Sequence, residues 1–151
     1  MGIDHDIHQA RFRNEHQKAS INLIYTYHWM VEKTRQIFAA EDITSQQFNI
    51  LRILRGSHPQ PLSTLQIRER MLDKMSDTSR IVDRLIAKGL VKKNVCKADR
   101  RLVDIMITDK GRKTLERIDE RQDEMDGVLG HLSKKEATQL SELLDKARDG
   151  K

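Results

Sequence analysis

The sequence predicts a mainly α fold with one short β-hairpin, and three observations lead there. Seven Gly and two Pro in 151 residues, with 34% charged and only 4% aromatic residues, leave few breaks and favour helix over sheet. Apolar residues recur at helical spacing over most of the chain. Two short runs, Val91 to Val95 and Val103 to Ile107, show partial period-2 alternation instead. At this length the expectation is one domain, 1–151, large enough to bury a real core.

A first long helix is expected from about Gln9 to Ala39, with Leu23, Tyr27 and Met30 on one stripe and Ile24, Val31 and Phe38 near it. Thr44 with Gln47 has the spacing of a capping box before Phe48, Ile50, Leu51 and Leu54, which predicts a second helix from Ser45 to about Arg55. Gly56, Pro59 and Pro61 end it. Ser63 with Gln66 repeats the signal and opens a third helix carrying Leu65, Ile67, Met71 and Leu72.

The fourth helix starts between Lys74 and Ser76. Ile81, Leu85 and Ile86, with Val82 beside them, form its core side, while Ser76, Asp77, Thr78, Ser79, Arg80, Asp83 and Arg84 occupy the start and the other side. Gly89 after Lys88 supplies a residue tolerant of left-handed backbone where the helix must stop. The two β-like runs follow, separated by the charged tip Lys97, Ala98, Asp99, Arg100 and Arg101. Thr108 and Asp109 are N-cap candidates for a helix carrying Leu115, Ile118, Met125, Val128 and Leu129, broken at Gly130. Ser133 with Glu136 is a third capping box, for a last helix to about Arg148 through Leu140, Leu143 and Leu144.

This order, helix, polar-faced helix, Gly stop, hairpin and helix, is that of a winged helix-turn-helix with long terminal helices and a two- to three-stranded β-wing. Charge agrees with it. Residues 68–117 hold fifteen Lys and Arg against eight Asp and Glu, whereas the remainder holds thirteen against fifteen. The net +5 is thus a +7 block and a −2 remainder. A DNA duplex favours such clustering because each phosphate contact releases condensed counterions, a helix fits the major groove, and an extended arginine enters the minor groove. Double-stranded DNA is therefore the expected partner.

Other classes fit less well. No nucleophile elbow, P-loop, dinucleotide fingerprint or HExxH motif is present, so an enzyme is not expected. The alternative is a non-enzymatic RNA-binding or protein-interaction module on the same fold, but sparse aromatics suit stacking on single strands poorly. No run approaches the roughly 18 to 20 apolar residues of a membrane span, and the N-terminal MGIDHDIHQARF lacks the apolar core of a signal peptide, so a cytoplasmic location without membrane partners is expected. The single Cys96 cannot form an internal disulfide and is read as an inert strand residue rather than a redox sensor. His5 and His8 with Asp4 and Asp6 are read as a terminal segment rather than a metal site, and no cofactor is expected. The apolar stripes of the terminal blocks, about 9–39 and 109–148, predict a homodimer about the DNA-reading lobe of 45–107.

The long first helix, ITSQQFNILRIL, SRIVDRLIAKGLV, the wing ADRR before LVDIMIT, and TDKGRKTLE together resemble the MarR family of bacterial transcription regulators. The most specific stretch runs from Arg80 to Gly111, where DRL, KGLV, DRR and ITDKG occur in order. The resemblance implies a homodimeric repressor that binds pseudo-palindromic operators. By position it implies that Ser76, Thr78, Ser79 and Arg80 meet base edges and phosphates, and that Arg84 supports that helix or its phosphate contacts. It also implies that Arg101, beside Arg100, reaches the minor groove while Asp99 holds the wing in shape. A small anionic or aromatic effector is the family's usual second ligand, and Tyr25, His28, Trp29 and Arg35 are the residues that suit one. One departure stands out: the third helix reads STLQIRERMLDKM, with Arg68 where the family commonly has a small residue.

Overall fold

The computed structural model describes residues 1–95 and 103–149, and the chain divides into two compact units, Met1–Gln36 and Ile37–Lys151. In the first unit a short helix α1 (Ile3–Asp6) buries Ile3. The long helix α2 (Glu15–Ala39) begins six residues later than the apolar pattern suggests. A cap sets that start: Asn14 Oδ1 accepts from the Gln17 N–H at 2.9 Å, and Gln17 Oε1 accepts from the Arg13 N–H at 2.6 Å. Along the part of α2 within this unit, Leu23, Ile24, Tyr27 and Val31 are all exposed.

The second unit holds the core. Ile37 and Phe38, at the end of α2, are buried with Ile43, and the Phe38 and Phe48 rings lie 4.6 Å apart. Helices α3 (Ser45–Ser57), α4 (Thr64–Arg70) and α5 (Thr78–Ala87) follow, then strands β1 (Val91–Val95) and β2 (Val103–Ile107) and helix α6 (Asp109–Asp119). Ile50, Leu51, Leu54, Ile67, Leu85, Ile105, Leu115 and Ile118 are each at most 1% exposed. Burial on that scale contributes roughly 1.5 to 3 kcal/mol per large apolar side chain. All three expected capping boxes form, at Thr44/Gln47, Ser63/Gln66 and Ser133/Glu136.

The strands pair antiparallel from Val91↔Ile107 to Val95↔Val103. Leu62 adds a single bridge to Ile105, through N–H···O bonds of 3.0 and 2.8 Å, in place of a full third strand. Two elements differ from expectation. Helix α4 ends at Arg70, because the Leu72 N–H is taken by Asn49 Oδ1 at 2.9 Å and the chain turns out extended at Met71. Met71 stays in the core while Leu72 is exposed. The expected helix to Gly130 is also divided, into α6, α7 (Gln122–Asp126) and a 3-10 turn at Gly127–Leu129, with neither Gly nor Pro at the Glu120–Arg121 break. A last helix, α8 (Lys134–Arg148), buries no residue.

The hairpin is locked to α5 by backbone chemistry. Gly89, at φ 74, ends α5 in a Schellman turn: its N–H donates to Ile86 at 2.9 Å, and the Leu90 N–H donates to Leu85 at 3.0 Å. The Thr108 hydroxyl donates to the Gly89 carbonyl at 2.7 Å and accepts from the Gly111 N–H at 3.1 Å, capping α6. A Cβ at Gly111 would overlap the Leu90 carbonyl oxygen and stand 2.7 Å from Ile107 Cγ1. Gly56, inside α3, has open space around it.

The two glycines therefore predict opposite signs. Gly111→Ala should destabilise by about 1 to 3 kcal/mol, since a backbone carbonyl cannot yield as a side chain can. Gly56→Ala should stabilise by roughly 0.5 to 1 kcal/mol through helix propensity and a less free unfolded chain. Urea unfolding followed by circular dichroism measures both, and equal effects would refute the close approach at Gly111.

Candidate nucleic-acid interface

Helices α4 and α5 and the turn between them form the helix-turn-helix. Asp77 caps α5, its Oδ1 accepting from the Arg80 N–H at 3.2 Å. The recognition helix is thus two to four residues shorter at its start than the sequence suggests. Its two faces separate cleanly: Thr78, Val82 and Leu85 are buried, whereas Ser79, Arg80, Asp83 and Arg84 are exposed. The exposed set spans one face at i, i+1, i+4 and i+5, the breadth a helix presents to a major groove. Arg80 and Arg84 lie one turn apart on it and form no ion pair among the described residues. The outward face thus keeps its charge and donors for a ligand.

The residues expected at this interface divide in three ways. Ser79, Arg80 and Arg84 are together on the exposed face. Ser76 precedes the helix and is half-buried, and Thr78 is only 4% exposed, so its side chain belongs to the packing of α5 rather than to the outward face. The Oγ atoms of both are buried with no hydrogen-bond partner among the described residues. Asp99, Arg100 and Arg101 of the wing tip, and Cys96, lie outside the described residues.

The expected effector residues, Tyr25, His28, Trp29 and Arg35, all fall on α2 within about a third of its circumference. Each is exposed, and Arg35 stands 3.6 Å from Glu32. In α1 and the turn after it, the His5 and His8 rings are 6.4 Å apart. Among the described residues no group of three or more His, Cys, Asp or Glu is placed to hold a metal ion, and no helix is long and apolar enough to cross a membrane.

One residue on this surface escaped the sequence reading, and another, Asp83, was placed on the outward side of α5 but given no contact. Arg68 is exposed on α4 and lines an open cleft of about 430 Å³ with Thr64, Leu65 and residues 76–79 at the start of α5. Its signal was the burial of Ile67, which turns the next residue outward.

A MarR family model matches residues 43–103, which include all of α3 to β1 and the first residue of β2. The HTH-type transcriptional regulator PecS of Dickeya dadantii (strain 3937) is 30% identical over 111 residues, 72% of this chain and 67% of that protein. A MarR transcription factor structure from Planctomyces limnophilus is 34% identical, with a TM-score of 0.68 over 89% of this chain and 98% of its own. The S. aureus MepR–DNA complex is 26% identical, with a TM-score of 0.78 over 87% of this chain and 97% of its own. With a relative of that identity and extent, and the winged helix in place, the chain belongs to the MarR family of transcriptional regulators, DNA-binding proteins of winged-helix fold.

Proposed function

We propose that the chain is a homodimeric repressor that occupies a pseudo-palindromic operator and leaves it when a small anionic or aromatic effector binds. The observation that carries this reading is the outward face of α5, where Ser79, Arg80, Asp83 and Arg84 stand exposed. Arg80 offers a bidentate donor pair suited to guanine, and Asp83 an acceptor suited to the cytosine amino group. The MepR neighbour, solved with DNA, supports the same use of this fold. Arg101 and Arg100 of the wing enter the minor groove in this reading, with Asp99 holding the wing.

Dimerisation is assigned to the terminal helices, 15–39 and the segment 109–148. Leu23, Ile24 and Tyr27 on α2 are 51 to 61% exposed, and Leu143 on α8 is 64% exposed. A second copy covers such surface and sets two recognition helices about one DNA turn, roughly 34 Å, apart. A dimer seated across a promoter excludes polymerase, which is repression by occlusion.

Three outcomes test this. Placing Asp at Leu140 and Leu143 should yield monomer by light scattering and abolish binding to a selected operator duplex, and a stable monomer of the unmodified protein at micromolar concentration would sink the dimer. For the two reading elements, Arg101→Ala should weaken binding to every duplex and lower the salt slope by about one unit. Ser79→Ala or Arg80→Ala should instead change half-site preference, costing roughly 1 to 3 kcal/mol only where the contacted base is present. Identical behaviour of the two classes in titrations across salt and half-site variants would refute the division of labour. Finally, an aromatic acid should weaken DNA binding and quench Trp29, the only tryptophan. A panel of such acids that moves neither signal would remove the effector site from this part of α2.

A further inference from the structure

We propose that Arg68 is an additional phosphate anchor of this chain, and that the cleft between α4 and the start of α5 receives one backbone phosphate of the bound duplex. The inference rests on the DNA-binding reading above and adds a residue to it. In α4, Thr64, Leu65 and Arg68 share a face by their i, i+1, i+4 spacing, and all three line the cleft. The Arg68 guanidinium forms no ion pair or hydrogen bond among the described residues, in contrast to those of Arg55, Arg112 and Arg117 of the same unit.

The opposite wall is chemically prepared for an oxyanion. Asp77 caps only the Arg80 N–H, so the Thr78 and Ser79 N–H groups at the start of the ten-residue α5 keep their donors without an acceptor among the described residues. A second observation is independent of the helix end: Thr78 is 4% exposed, its Oγ1 has no partner, and the residue lines this cleft. The hydroxyl of Ser79 is a further donor on the exposed side.

Asp77 also lines the cleft, and its carboxylate opposes an anion. Against it stand the Arg68 guanidinium and a helix N-terminus equivalent to roughly half a positive charge. That balance is too small to hold a free ion from solution, but it suffices for a phosphate already delivered by the neighbouring contacts of Arg80 and Arg84. The occupant is therefore a phosphodiester of the duplex.

Arg68→Ala, Arg68→Lys and the unmodified protein would be titrated with a duplex obtained by in vitro selection and with a random-sequence duplex. Arg68→Ala should lose affinity by the same factor for both, and that factor should shrink about threefold between roughly 50 and 200 mM salt, as expected for one lost contact. Arg68→Lys should retain the unmodified salt slope. In a scan of neutral methylphosphonate linkages, one position per half-site should weaken the unmodified protein and leave Arg68→Ala unaffected. An unchanged salt slope in Arg68→Ala, or linkages that cost both proteins alike, overturns the anchor while leaving DNA binding intact. Failure of the unmodified protein to bind any duplex would instead sink the DNA reading itself.

Discussion

The Thr108 hydroxyl donates to the Gly89 carbonyl and accepts from the Gly111 N–H, so one side chain ties the end of α5 to the beginning of α6 across the base of the hairpin. The Thr108 N–H adds a bond to the Leu90 carbonyl at 3.1 Å, and Lys110 Nζ reaches the Lys88 carbonyl at 2.9 Å. The carbonyls of Lys88, Gly89 and Leu90, in the turn that ends the recognition helix, are thereby satisfied by the segment that follows the wing. This geometry requires Gly89 for its positive φ and Gly111 for the Leu90 carbonyl that sits against it. The KGL and ITDKG motifs are two halves of one joint. Because the joint fixes the direction in which β1 leaves α5, it fixes where the hairpin begins relative to the outward face of the helix.

Arginine is used in two ways in this unit. Arg55 binds Asp119 at 2.6 Å and Arg117 binds Glu41 at 2.8 Å, joining α6 to the α3 side of the lobe. The hydrogen bond to Glu41 is the main cause that raises Arg117 above its ordinary range, partly offset by burial. Exposed pairs of this kind contribute little stability and weaken with salt, so their chief effect is to neutralise charge away from the reading face. Arg68, Arg80 and Arg84 have no such partner among the described residues. A phosphate-binding surface needs this asymmetry, because an arginine already paired within the protein must break that pair before it can release a counterion from DNA.

Most element boundaries were legible where a side chain does the capping. Thr44, Ser63, Thr108 and Ser133 each mark a helix start, and the structure places a cap at all four. Gly89 marked the end of α5 because few other residues tolerate its φ. The misses have common physical causes. Asn14 with Gln17 was a cap hidden inside a polar stretch where apolar spacing carried no information. Helix α4 stops at Arg70 because Asn49, twenty-one positions earlier, captures the Leu72 N–H, a long-range bond invisible to local periodicity. The burial of Thr78 went unread for the same reason, since a threonine at a helix start looks alike whether it faces solvent or core.

The surface of the terminal helices completes the physical picture of the proposed dimer. Apolar area left on α2 and α8 is a cost in a monomer, because water must be ordered around Leu23, Ile24, Tyr27 and Leu143. Covering it with a second copy makes association and folding one linked equilibrium, so the fraction competent to bind DNA rises with protein concentration. A palindromic site reinforces the linkage, since a dimer engages two half-sites with the second contact effectively intramolecular. The effector residues proposed here lie on the same helix as much of that apolar surface. In the proposed dimer, a ligand on α2 would shift DNA binding only if it bound the DNA-competent arrangement and the alternative with different affinities.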